Sequence, residues 1–129
     1  MLTAHERVNT AMAALARGEM IILIDDPERE NEGDLIIAAE KITNESMNFF
    51  IRHCSGIVCI SMLEEQLTAL DIPSMVPPEL NTSARGTPFM MTVDARDNIT
   101  TGVSAADRVE TIRALMATPS NPQSLVKPG

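Results

Sequence analysis

Apolar residues change their spacing several times along this chain, and each change marks a predicted element. Val8, Met12 and Leu15 recur at helical intervals up to Gly18, and Thr3 precedes Glu6 by three residues in the pattern of a capping box. A first helix over residues 4–17 follows, closed by the glycine. Met20 to Ile24 is a short unbroken apolar run, which suits a strand buried on both faces. Beyond the polar residues 25–34 a second strand is expected at about Leu35 to Ala38. Thr43 then fits the N-cap of a helix whose Met47, Phe50, Ile51 and Cys54 make one apolar stripe, with Gly56 as its stop.

Ile57 to Ile60 reads as another buried strand, followed by a short helix around Glu64 to Ala69. Ile72 to Gly86 holds Pro73, Pro77, Pro78 and Asn81-Thr82-Ser83, too many breakers for regular structure, and reads as a long functional loop. Phe89 to Val93 is expected as a fourth strand with Phe89, Met91 and Val93 on one face. Ser104-Ala105-Ala106-Asp107 opens a last helix that places Val109, Ile112 and Met116 on one side. From Thr118 the prolines 119, 122 and 128 end regular structure. Leu125 and Val126 then lie either in a frayed tail or in a stretch leading into a longer chain. Alternating helices and short buried strands predict a layered α/β or α+β domain.

Composition sets limits on this outline. With 129 residues, 44% of them hydrophobic, the chain has the size of one domain with its own core. It has no Trp or Tyr and three Phe, so nine Met must do much of the filling. A net charge of -8 argues against broad contact with nucleic acid or anionic membranes, yet leaves room for a local pocket that takes one anion. There is no signal peptide and no apolar stretch near the length of a membrane span, which predicts a cytoplasmic protein. Cys54 and Cys59 fit small buried apolar groups, or one lining a site, better than a disulfide, and with His5 and His53 they make no zinc pattern.

Charge is most concentrated in Asp25-Asp26-Pro27-Glu28-Arg29-Glu30-Asn31-Glu32-Gly33-Asp34, six carboxylates and one arginine between two apolar runs. In an extended segment Glu28, Glu30, Glu32 and Asp34 would share a face, about 7 Å apart. Two carboxylates at that distance repel by about 0.6 kcal/mol in water and about 2 to 2.5 kcal/mol at an effective dielectric of 20. The row therefore needs full solvation or a cation. A calcium loop fits poorly, since Glu28 would have to open it and Ala39 would stand where a bidentate carboxylate is required. Magnesium suits it better, because that ion takes one or two carboxylates and completes its shell with water and substrate oxygens.

Two other segments could meet an anion. Thr100-Thr101-Gly102-Val103-Ser104 puts hydroxyls and a glycine before a helix N-terminus, where such residues also serve as ordinary caps. Ser83-Ala84-Arg85-Gly86-Thr87 adds an arginine able to clamp an oxyanion or simply to face solvent.

Asp25-Asp26-x-x-Arg29-Glu30-Asn31-Glu32-Gly33-Asp34-Leu35 closely resembles the signature of the 3,4-dihydroxy-2-butanone-4-phosphate synthase family. The segment Arg52 to Cys59, Asn81-Thr82, Gly86-Thr87, Thr100 to Arg108 and Pro128-Gly129 resemble it too, in the same order and spacing. The resemblance covers essentially the whole chain. It implies an α+β fold, a layered α/β/α arrangement with a mixed β-sheet that is incomplete at the C-terminus, so that residues 1–129 form the N-terminal part of a single synthase domain. It also implies a lyase of riboflavin biosynthesis that converts D-ribulose 5-phosphate to 3,4-dihydroxy-2-butanone 4-phosphate and formate, with Mg²⁺ or Mn²⁺, as a homodimer. Such chemistry needs a base near a carbon acid and a hard cation on the sugar oxygens. By the same resemblance Glu30 is the metal ligand and a catalytic residue, Glu32 is a supporting catalytic carboxylate, and Arg29, Glu30, Asp34, Thr101 and Cys59 contact substrate. Since Arg29 would lie opposite the acidic face of a straight strand, these roles require residues 25–34 to bend.

Family members continue past the Pro-Gly with a histidine, an Arg and His-Thr motif and a later glutamate, none of which this sequence contains. The resemblance therefore implies weak binding and little turnover for these residues alone. The alternative expectation is a non-catalytic remnant that acts as a dimerisation or binding module.

Overall fold

Helix boundaries follow the caps that the sequence provides. The computed structural model describes residues 2–129, which divide into two compact units, Met1–Val58 and Cys59–Gly129. In the first unit α1 spans Ala4–Ala16. Glu6 N donates to Thr3 Oγ1 at 3.2 Å while Glu6 Oε2 accepts from Thr3 N at 2.8 Å, the reciprocal pair of a capping box. Gly18, at φ +81°, closes the helix in a conformation that side chains resist, and Gly18 N and Glu19 N donate back to Leu15 O and Ala14 O. Helix α2, Asn44–His53, starts at the expected Thr43, whose partner is Ser46. It ends at Cys54 rather than Gly56, and of its predicted stripe Met47 is fully buried whereas Ile51 and Cys54 are exposed.

Between these helices β1 (Ile21–Ile24) and β2 (Gly33–Ile36) form an antiparallel hairpin with Ile21 opposite Ile36 and Ile24 opposite Gly33. The expectation of a strand buried on both faces is not met. Ile22 is 70% exposed and Ile24 68%. An unbroken apolar run sets strand propensity, but burial also requires something to lie against each face, and no pattern within the run supplies that.

In the second unit α3 spans Glu64–Ala69, α4 spans Ala105–Met116, and β3 (Asp94–Ala95) pairs antiparallel with β4 (Leu125–Val126). Leu70, Ile72, Leu115 and Leu125 make the buried core, with Met62, Met90 and Met91 packed against it. Methionine thus fills around branched side chains, as the composition requires. The strands expected at Ile57 to Ile60 and Phe89 to Val93 do not form. Ile57 is 76% exposed, and the second segment makes only a single bridge, Met90 to Ser74, although Met90, Met91 and Val93 still reach the core. Helix α4 buries Asp107, Val109, Thr111 and Leu115, whereas the predicted Met116 is exposed. The face was misjudged because two of its buried positions are polar.

The final residues are anchored, contrary to a frayed tail. Arg96 donates through Nε to Gln123 O and through Nη2 to Leu125 O, Lys127 Nζ donates to Leu70 O at 2.9 Å, and Gly129 N donates to Thr92 O at 3.1 Å. Carbonyls left over at the end of α3 and in the loops are satisfied from a distance, something no local pattern announces. The α+β class holds. Among the described residues, however, the strands make two separate two-stranded antiparallel sheets where one mixed sheet was expected: β1 and β2 join through a hairpin loop, and β3 and β4 pair with α4 between them in the chain, so no parallel pairing forms.

Candidate functional site

Residues 25–32 link β1 to β2 as a bent loop, and Asp25 organises it. Asp25 N donates to Glu32 O at 3.2 Å, which extends the ladder by one rung. The carboxylate then collects the rest of the loop: Oδ1 accepts from Glu32 N at 3.0 Å, and Oδ2 accepts from Glu30 N at 3.2 Å and from Arg29 Nη1 at 2.7 Å. Asp26 turns the chain, with Oδ1 accepting from Glu28 N and its carbonyl from Arg29 N. Asn31 completes the bend at φ +52°, a region that asparagine enters more readily than most residues. The bend required by the proposed roles is present, and the straight row of four like charges does not form.

Electrostatics follow from this geometry. Partial burial pushes the Asp25 carboxyl up, but the Glu32 and Glu30 amides and the Arg29 guanidinium outweigh it and hold the group below its ordinary value. Arg29 is pushed up, first by its bond to Asp25 and then by the charges of Glu30 and Asp34. Glu30 Oε2 lies 3.4 Å from Arg29 Nη1, with Arg29 48% and Glu30 45% exposed. Glu32 and Asp34 are exposed as well. The loop thus brings Arg29, Glu30 and Asp34 into one field around a half-buried Asp25. Sequence reasoning passed over Asp25 as the organiser, although Asp25 and Arg29 stand at a spacing that permits a direct pair.

Thr101 and Cys59 belong to the second unit. Thr101 is exposed on the loop before α4. There Asp107, 4% exposed, accepts from Thr100 N at 3.0 Å, Thr100 Oγ1 at 2.7 Å and Gly102 N at 3.1 Å. Those bonds, led by the Thr100 hydroxyl, hold the Asp107 carboxyl below its ordinary value. Cys59 is exposed, as is Cys54, which corrects the expectation that both are buried; each is a thiol outside any disulfide. The Asn81 to Thr87 segment is closed by Asn81, whose Oδ1 accepts from Ser83 N and Oγ and whose Nδ2 donates to Thr87 O.

A hard divalent ion suits the donors of the acidic loop, which are all carboxylate oxygens. Among the described residues no three His, Cys, Asp or Glu side chains converge as a ready ligand set. An ion bound at this loop would take one or two of its carboxylates and complete its shell elsewhere.

The sequence pattern of the 3,4-dihydroxy-2-butanone 4-phosphate synthase family matches residues 9–129. The chain belongs to that family. A synthase of that name from Cronobacter sakazakii is 54% identical over 127 residues, and one from Shewanella piezotolerans 49% identical over 126; each alignment covers 98% of this chain and 58% of the relative. A crystal structure of a 3,4-dihydroxy-2-butanone 4-phosphate synthase in complex with two magnesium ions superposes with a TM-score of 0.89 at 44% identity, over 95% of this chain and 56% of that one. The chain thus spans little more than half the length of the synthases it matches. No helix among the described residues is long and apolar enough to cross a membrane.

Proposed function

We propose that this chain is the N-terminal part of a single 3,4-dihydroxy-2-butanone 4-phosphate synthase domain, a cytoplasmic lyase of riboflavin biosynthesis that converts D-ribulose 5-phosphate to 3,4-dihydroxy-2-butanone 4-phosphate and formate. The observation that carries the reading is the Asp25-centred bend, which holds Arg29 beside Glu30 while leaving both half-exposed on one hairpin. Family membership supports it, and a relative crystallised with two magnesium ions supports Mg²⁺, or Mn²⁺, as the cofactor. Glu30 would hold the ion. When bound, it supplies positive charge to sugar oxygens as they become negative.

The chain's own residues do the remaining work in this reading. Glu32, with Glu30, offers carboxylate to take a proton from a sugar carbon whose acidity the adjacent carbonyl raises. Arg29 and Asp34 grip the sugar phosphate, Thr101 contacts the phosphate, and Cys59 lines the site. Asp25 keeps Arg29 and Glu30 oriented before substrate arrives, so less order has to be imposed on binding. A homodimer is part of the proposal and predicts twice the chain mass in sedimentation equilibrium.

Formate release from D-ribulose 5-phosphate with Mg²⁺ tests the assignment, measured on this chain and on this chain joined to the remaining length of the Cronobacter sakazakii relative. Glu30→Ala is expected to reduce release by at least about 100-fold, since loss of mere supporting partners of a metal already costs 10 to 100-fold. Undiminished release in that variant overturns the site. The exposed apolar side chains of β1 favour a second reading, a non-catalytic dimerisation or binding module. Self-association without D-ribulose 5-phosphate binding in either form of the chain would select it.

A further inference from the structure

The loop before α4 holds a feature that the proposed roles do not use. Asp107 is the third residue of α4, is 4% exposed, and spends its carboxylate on residues that precede the helix, Thr100 and Gly102. A carboxylate at that depth is costly unless its oxygens are bonded, and here three donors meet it. The same loop is tied elsewhere. Ser104 Oγ accepts from Asp107 N at 3.1 Å, and Val103 O accepts from Arg108 Nε at 2.9 Å. Gly102 is buried at φ +82°, a backbone conformation that other residues rarely adopt, and a Cβ there would meet the Asp94 carboxylate unless that side chain moved.

Thr101 sits between the two residues that Asp107 holds, and it is exposed. Among the described residues neither its hydroxyl nor its amide has a partner within the chain. Thr100 N and Gly102 N, amides of the loop leading into α4, are already taken by Asp107. Of residues 100 to 102, Thr101 alone keeps its donors uncommitted.

We infer that Asp107 is a positioning residue for substrate, a buried internal anion that bonds Thr100 and Gly102 on either side of Thr101 and thereby fixes Thr101 as the donor to the substrate phosphate. The inference rests on the proposed contact between Thr101 and D-ribulose 5-phosphate. It assigns the amides of Thr100 and Gly102 to the chain's own carboxylate and narrows the substrate contact of this loop to one residue.

NMR titration of the full 129-residue chain with D-ribulose 5-phosphate tests it, with far-UV circular dichroism confirming that each variant is folded. Thr101→Ala is expected to weaken binding about tenfold, the scale of one hydrogen bond to a charged group. Thr100→Val removes one of the three bonds to Asp107 without changing charge, and is expected to weaken binding about threefold, with Thr100→Ser restoring it. Asp107→Asn is expected to match or exceed Thr100→Val, since either orientation of the amide turns an N-H toward a backbone N-H. Should Asp107→Asn not fold, the Thr100→Val and Thr100→Ser pair decides alone. If Thr101→Ala weakens binding but Thr100→Val does not, or if Thr100→Ser fails to restore it, the positioning role is overturned and the Thr101 contact stands. If Thr101→Ala has no effect, the contact falls and the inference falls with it.

Discussion

Asp25 and Asp107 do the same job in two different settings. Each collects two backbone amides and one side chain from a loop of its own unit and holds that loop in a bend. Asp25 lies on an exposed hairpin and uses a guanidinium, whereas Asp107 lies buried on a helix and uses neutral donors only. For the first, partial burial is the largest single influence on its carboxyl and is outweighed only by several bonds acting together; for the second, bonding to Thr100 comes first. A buried anion can thus be accommodated without a cation if enough preorganised dipoles face it, with the helix N-terminus helping. A half-buried anion paired with an exposed guanidinium gains from that cation, but the gain is subject to salt.

The largest test of this contrast removes support from behind the loops. Leu115 lies in the core on the helix that carries Asp107, and Leu115→Ala should cost about 2 to 5 kcal/mol in urea denaturation, the range for emptying a packed site. Ile22→Ala on the exposed hairpin should stay within about 0.5 kcal/mol. Similar losses for both would erase the distinction between a loop set on a core and a loop set on a bare ladder.

Acid gives a smaller effect with a defined sign. Both carboxyls are held below their ordinary value of 3.8 in the folded chain, so each adds stability that is fully present above that pH and is lost as pH falls through the lower folded value. Thermal denaturation followed from pH 6 downward should therefore show Tm falling below about pH 4. Asp107→Asn should lower Tm at pH 6 and flatten part of that fall; an unchanged acid slope would count against the tight bonding of Asp107.

Salt should produce the smallest change and separate the two regions most cleanly. Near 1 M salt the screening length is about 3 Å, which weakens an exposed ion pair but leaves neutral bonds to a buried carboxylate nearly untouched. Amide exchange at Glu30 and Glu32 should quicken, while that at Thr100 and Gly102 should hold. Equal quickening at all four would show that charge pairing does not distinguish the loops.

Local chemistry was the part most open to reading in advance. Thr3 with Glu6, Thr43, and Ser104 all cap where expected, because a cap needs only residues three positions apart. The signature around Arg29, Glu30, Glu32 and Asp34 was likewise visible, and its bend followed from the roles assigned to it. Less visible were Asp25 and Asp107 as organisers, since a carboxylate in a sequence looks the same whether it faces water or a ring of amides. Ile22, Ile57 and Phe89 show the converse error. Their apolar character suggested strands, buried ones for Ile22 and Ile57, yet Ile22 lies in an exposed strand and Ile57 and Phe89 lie in none.

The sequence by itself determined family, helix starts and the residues of the acidic loop, all of which depend on identity and short spacing. Tertiary structure alone decided which carboxylates became internal anchors, where Leu125 and the final residues were tied, and which apolar runs were covered. Burial and long-range hydrogen bonds are properties of what lies opposite a residue, and along the chain that partner can stand 57 positions away, as Leu70 does from Lys127.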